Sequence, residues 1–198
     1  MSRVSTVIRG AVAGAAAFIL GLLVTFITAG VAATRLAGEG PFGETIPEWK
    51  ATIWVFYDAH FVGTRTAELF GPDGSLWSGG ELVLTVNLLE IEFLFLVPVV
   101  VLVLVSARLA SLMECSDARH GMSIGMTLVL GYLPLVLFGL LASMHFGTGP
   151  SPLRALVIAG IIYPVFFGAV GGFLAGQFGR ASQSKNSSSN GDHEPVIR

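Results

Sequence analysis

Of the chain's 198 residues, 53% are hydrophobic and only 12% charged, and the formal net charge is −2. A soluble domain carries roughly a quarter charged residues, so an ordinary soluble protein is excluded. No basic run is present that could hold a nucleic acid.

Four stretches contain no Asp, Glu, Lys, Arg or His: 10–34, 93–107, 121–144 and 155–179. Three exceed the roughly 20 residues a helix needs to cross the hydrocarbon core. The second reaches that length if it is extended back to Leu82 through Glu92 and Glu90. The expected fold class is therefore all-α: a polytopic membrane protein with four transmembrane helices, at about 8–34, 82–107, 121–144 and 155–179. These helices form one domain over 1–180, joined to a disordered cytoplasmic tail at 181–198 and leaving no room for a separate soluble catalytic domain.

The first element opens on "MSRVSTVIRG", a positive stretch that also suits a signal peptide, with small residues at Val31-Ala32-Ala33. Its uncharged run is far longer than the roughly 7 to 15 residues of a signal's apolar region, so a retained helix is expected. Gly10 and Gly14 stand four apart on it, a spacing that lets two helix backbones approach closely.

The outer loop, 35–81, carries seven acids against three basic residues and is too long for a mere connector. Within "TIPEWKATIWVFYDAHFVG", Thr45 and Glu48 have capping-box spacing and Pro47 suits a first turn. Trp49, Ile53, Phe56 and His60, with Tyr57 and Phe61 alongside, then recur at three- and four-residue steps, as on one helix face, and Lys50 and Asp58 lie away from that stripe. The expected arrangement, part of the fold class, is a short interfacial helix in the first outer loop with its rings at headgroup level; the alternative is a lid packed on the bundle. "FGPDGSLWSGGE" reads as turns before the second span.

"NLLEIEFLFLVPVVVLVLVS" places Glu90 and Glu92 at the outer mouth of that span. A charge at membrane depth is costly, and the cations or imidazoles at the same level are His60, His145 and Arg154. Glu90, Glu92, His60, His145 and Arg154 are thus a candidate polar cluster beneath the outer loop. The two glutamates stand about 200° apart on a helix and cannot share one neighbour. The alternative is that they snorkel to headgroups or bond to loop backbone.

Pro98, Pro134 and Pro164 lie inside the last three spans, where each frees a carbonyl one turn earlier and bends its helix. Gly168, Gly172 and Gly176 give two further four-residue spacings in the fourth span. They suit packing inside the chain or against a second copy. Seven basic residues flank the side holding both termini and four the other, which predicts cytoplasmic termini and an outer first loop.

Cys115 is the only cysteine, so no intrachain disulfide, CxxC pair or cysteine zinc cluster is available. His60, His120, His145 and His193 are dispersed without metal-ligand spacing. No phosphate-binding glycine loop or nucleophile elbow is present. No catalytic residue, metal or cofactor is therefore assigned, and an enzyme is not expected.

The segment "WKATIWVFYDAHFVGT", with few lysines and an acid-rich outer loop, resembles small uncharacterised four-helix membrane proteins of halophilic archaea. The resemblance covers about half the chain. It implies a plasma-membrane location and a high-salt habitat but no activity. The expected function is that of a non-catalytic membrane component, seated in the lipid bilayer, that binds a protein partner or a second copy through its outer loop or bundle. A small transporter, channel or proton-coupled device using the acids of the second span is the alternative.

Overall fold

The computed structural model describes residues 3–37, 46–65, 69–70, 76–77, 81–82, 92–115, 117–145 and 147–189. Helix α1 spans Arg3–Ala37, and a short helix α2 spans Glu48–Asp58. Strands β1 (Thr64–Arg65), β2 (Leu69–Phe70), β3 (Leu76–Trp77) and β4 (Glu81–Leu82) follow. A 3-10 turn at Glu92–Phe95 leads into α3 (Leu96–Leu112). Helices α4 (Ala118–Met126) and α5 (Val129–Ser143) meet end to end through a turn. Strand β5 (Gly149–Pro150) precedes the last helix, which starts at Pro152–Arg154 and takes π geometry over Ala155–Ile162. It continues as α6 over Tyr163–Ser189.

The protein is mostly helical, with four stretches long and apolar enough to cross a membrane: Val4–Gly30, Phe93–Leu112, Ala118–Ser143 and Pro152–Gly179. Strand β1 lies between β4 and β5, antiparallel to both, with Thr64 opposite Leu82 and Pro150. This small sheet ties the segment between α1 and α3 to the start of the last helix, where Ser151 N–H also bonds to the Gly63 carbonyl at 3.0 Å.

Two boundaries differ from expectation. The second span does not begin at Leu82, which is paired in β4; the helix is described from Glu92 and runs on through Arg108 to Leu112. The 20-residue stretch Phe93–Leu112 is long and apolar enough once it runs past the exposed Arg108, which can snorkel, so the glutamates are not needed to complete it. The last helix continues to Ser189 where a disordered tail was expected from 181. Once nucleated, a helix extends at little cost through residues such as Ala181, Gln183 and Lys185. Residues 190–198 lie outside the described ones.

Close backbone contact holds the bundle together. A Cβ at Gly168, Gly172 or Gly176 would collide with the backbone of Gly125, Gly121 or Asp117 and Ala118 on α4 and its approach. Gly10 and Gly14 abut Thr127 and the Leu128 carbonyl, while Gly131 abuts Ala11. Both glycine stripes therefore face their own chain. Gly121 and Gly125 supply the matching stripe, and Ser106 Oγ closes the α3–α6 contact by donating to the Gly168 carbonyl.

In Gly172→Leu the new side chain enters the space of the Gly121 carbonyl, and overpacking of this kind should cost about 2 kcal/mol or more. The variant should melt well below wild type in detergent, whereas Phe178→Leu at an exposed position should not. Equal melting temperatures for Gly172→Leu and wild type would contradict the contact.

Candidate functional site

Helix α2 begins two residues later than its capping signal suggests. Pro47 is the N-cap, its carbonyl accepting from Lys50 N–H at 2.9 Å and Ala51 N–H at 3.2 Å, with no side-chain cap. Thr45, the expected capping residue, lies outside the described residues. The helix ends in a Schellman motif: Val62 N–H bonds to the Tyr57 carbonyl and Phe61 N–H to the Asp58 carbonyl. Phe61 takes the left-handed position, at φ 59°, that glycine usually fills. Its ring stacks on Phe95 with centroids 4.6 Å apart.

Of the two arrangements open for α2, the described side chains take the packed one. Every residue from Ala51 to His60 is buried except the half-buried Ile53, while Trp49 at the start is 50% exposed. The helix lies along α5 and bonds to it at four levels. Lys50 Nζ donates to the Met144 carbonyl at 2.6 Å, and Trp54 Nε1 to the Ser143 carbonyl at 3.0 Å. The Tyr57 hydroxyl donates to the Val136 carbonyl. Deepest is His60, whose Nε2 lies 2.7 Å from the Tyr132 hydroxyl.

Burial is complete around His60. Its Nδ1 lies 2.8 Å from the Phe56 carbonyl, which can only accept, so Nδ1 carries the proton. Nε2 is then the acceptor for the Tyr132 O–H. The ring is flanked by Phe56 at 4.7 Å and Tyr163 at 4.8 Å between centroids, and Phe18 of α1 packs edge-on against Phe56 and Tyr132. Tyr132 lies about three turns, roughly 16 Å, inward from the end of α5 at Ser143. Burial lowers the His60 imidazole from 6.5 to about 4, the Phe56 carbonyl partly opposing the shift. It likewise pushes the Tyr57 hydroxyl up, with the Leu140 backbone N–H pulling part of the way back.

Among the described residues of the expected polar cluster, His60 occupies this centre, and both its ring nitrogens are engaged by Phe56 and Tyr132 rather than by His145 or Arg154. His145 is half-buried and exchanges backbone hydrogen bonds with Thr148, at 2.9 and 2.8 Å. Arg154 is exposed on the first turn of the last helix. Glu90 lies outside the described residues, and Glu92 opens the 3-10 turn. Sequence reasoning missed Tyr132 and Tyr163, and left Tyr57 beside the aromatic stripe. A signal was available: the chain has three tyrosines, and two stand just before the mid-span prolines Pro134 and Pro164. A buried phenol needs a partner for its hydroxyl. Asp58, placed on the polar side of α2 by periodicity, is also fully buried.

Residues 1–178 match a family of unknown function, DUF7978. The chain belongs to that family. No curated protein and no solved structure matches it. The DUF7978 match takes in α2 and nearly all of the four long apolar stretches, so the His60 centre lies wholly within it.

Among the described residues no group of three or more His, Cys, Asp or Glu could hold a metal ion. The centre contains a neutral imidazole, phenols and aromatic rings. What this arrangement can do is bind or release one proton at His60 Nε2. In the fold His60 stays neutral down to about pH 4, while the unfolded chain takes up the proton near 6.5, so stability rises with pH between these values. The melting temperature in detergent should fall as pH drops through that window and should fall less in His60→Gln. A wild-type melting temperature that does not change across the window would contradict the buried neutral imidazole.

Proposed function

We propose that this protein is a non-catalytic component of the plasma membrane, with both termini cytoplasmic, that works by binding a protein partner through its outer segment or bundle flank. The observation that carries the reading is the filling of the outer half of the bundle by α2. The place where a substrate would enter from outside is occupied by Trp54, Phe56, Tyr57 and His60, all buried. Grooves open on the flanks instead, between α3 and α6, α4 and α6, and α1 and α2. The glycine stripes support the partner being another protein rather than a second copy docked through them, since they are used inside the chain. The acid-rich outer loop, seven acids to three basic residues, supports a high-salt habitat of the halophilic archaeal kind.

A second reading, a small proton-coupled device, is favoured by one observation: the titratable His60 sits beside Tyr132 about three turns inside the bundle. The two readings separate in one preparation. Cross-linking in native membranes followed by mild-detergent purification should yield a stoichiometric protein partner. A monodisperse protein that purifies alone and carries protons across proteoliposomes would overturn the partner-binding reading in favour of the second.

Orientation is tested separately. In a Cys115→Ser background, Ser75→Cys should be labelled by an impermeant thiol reagent in intact cells and Ser184→Cys should not. The reverse pattern would overturn the placement that rests on the basic residues.

A further inference from the structure

The two ends of α2 are held by different chemistry. At the outer end Lys50 and Trp54 bond to carbonyls at the terminus of α5, contacts indifferent to mild acid. At the inner end the Tyr57 hydroxyl bonds to the Val136 carbonyl and His60 to Tyr132, and of these only the His60 bond depends on a group that titrates in mild acid. Immediately beyond it the backbone is strained, because Phe61 holds a left-handed conformation that side chains disfavour, with its ring on the outside of the bundle.

The latch depends on one protonation state. Nδ1 is committed as donor to Phe56, so Nε2 must accept from the Tyr132 hydroxyl. A proton arriving at Nε2 turns that acceptor into a donor facing a donor. The hydroxyl would then have to turn, and among the described hydrogen bonds no second acceptor stands ready for it. The imidazolium would also be a charge sealed among apolar rings.

The titratable groups around His60 offer little compensation. Tyr132 comes from α5 and Tyr163 from the last helix, both phenols that stay neutral in acid. From α2 itself come Tyr57 and Asp58, and two positions along a helix turn Asp58 to nearly the opposite side. Helices α1 and α3 contribute the apolar Phe18 and Leu102 to the surrounding core. The Phe56 carbonyl on Nδ1 and the Phe56 and Tyr163 rings, 4.7 and 4.8 Å away, are neutral groups that offset only part of the cost of a cation there.

We propose that α2 is an acid-released plug: protonation of His60 Nε2 breaks the Tyr132 latch, and α2 withdraws from the outer half of the bundle, pivoting beyond Phe61. No covalent bond changes; one proton from the outer medium moves onto Nε2 and leaves again on neutralisation. Withdrawal uncovers the Tyr132 hydroxyl and the Val136 carbonyl, polar groups otherwise taken up by α2 itself, together with the Tyr163 ring. At neutral pH the plug is seated, because burial keeps His60 neutral down to about pH 4. This device stands independently of what the outer face binds.

The test uses Trp54 as reporter. The chain has three tryptophans, and Trp49→Phe with Trp77→Phe leaves only the buried Trp54 at the α2–α5 contact. The full chain in lipid nanodiscs is taken from pH 7.5 to 4 and back while Trp54 emission is quenched by acrylamide, which is uncharged. The quenching constant should at least double in acid and recover on neutralisation, and in His60→Gln it should stay flat. An unchanged constant in the His60-containing protein, an equal rise in His60→Gln, or a rise that does not reverse would overturn the proposal. If His60→Gln does not fold, His60→Phe replaces it, keeping a ring among the aromatics without a titrating nitrogen.

Discussion

The constraint on which the rest of the structure depends is the carboxyl end of α5. A helix leaves its last carbonyls without intrahelical partners, and here the contact to the Ser143 carbonyl is buried away from water. Met144, which follows α5, turns into extended backbone and provides no cap of its own. The partners come from another element: Trp54 takes the Ser143 carbonyl and Lys50 the Met144 carbonyl, the ammonium also suiting the negative end of the helix dipole. Once these two contacts fix α2 against α5, its register delivers Tyr57 to Val136 and His60 to Tyr132.

The same docking fills the space beside the second apolar stretch. Helix α3 and its leading turn are described from Glu92, and at their start Leu94 packs with Val55 and Ala59 of α2, while Phe56 and Tyr57 enter the main core. Elsewhere the spans approach as closely as backbones allow, glycine on glycine between α4 and α6. The bundle therefore has two halves of different character. The half nearer the chain termini is closed by the absence of side chains, and the other half by a helix inserted from the loop. A helix held by a handful of side-chain bonds is the easier of the two to move.

The four spans were legible because charge-free runs of helix length have few other readings, and Trp49, Ile53 and Phe56 marked α2 by period alone. The sequence could not place α2 in depth. The same aromatic stripe serves a helix lying at headgroup level or one packed in the bundle, and what decides is the cap of α5, a contact 89 residues away in sequence for Trp54 and Ser143. The polar centre was legible only in His60. Glu90, Glu92, His145 and Arg154 were chosen because charge in an apolar setting demands a partner, yet the imidazole found a neutral one. A phenol such as Tyr132 leaves no mark on a charge-based scan, although it meets the same need for a hydrogen bond. The glycines of α6 stood out by spacing, whereas Gly121 and Gly125, at the same spacing, were overlooked in a stretch that reads as the polar start of a span.

The central claim is that α2 is seated inside the bundle against α1 and α5 in the membrane. Phe56 and Phe18 meet there with ring centroids 5.1 Å apart. In a Cys115→Ser background, Phe18→Cys and Phe56→Cys together should be bridged by a short bifunctional thiol reagent in native membranes at neutral pH, and mass spectrometry should find the two peptides joined within one chain. Recovery of both cysteines singly modified and never joined, in protein that remains folded, would contradict a seated α2 and place the helix away from the bundle.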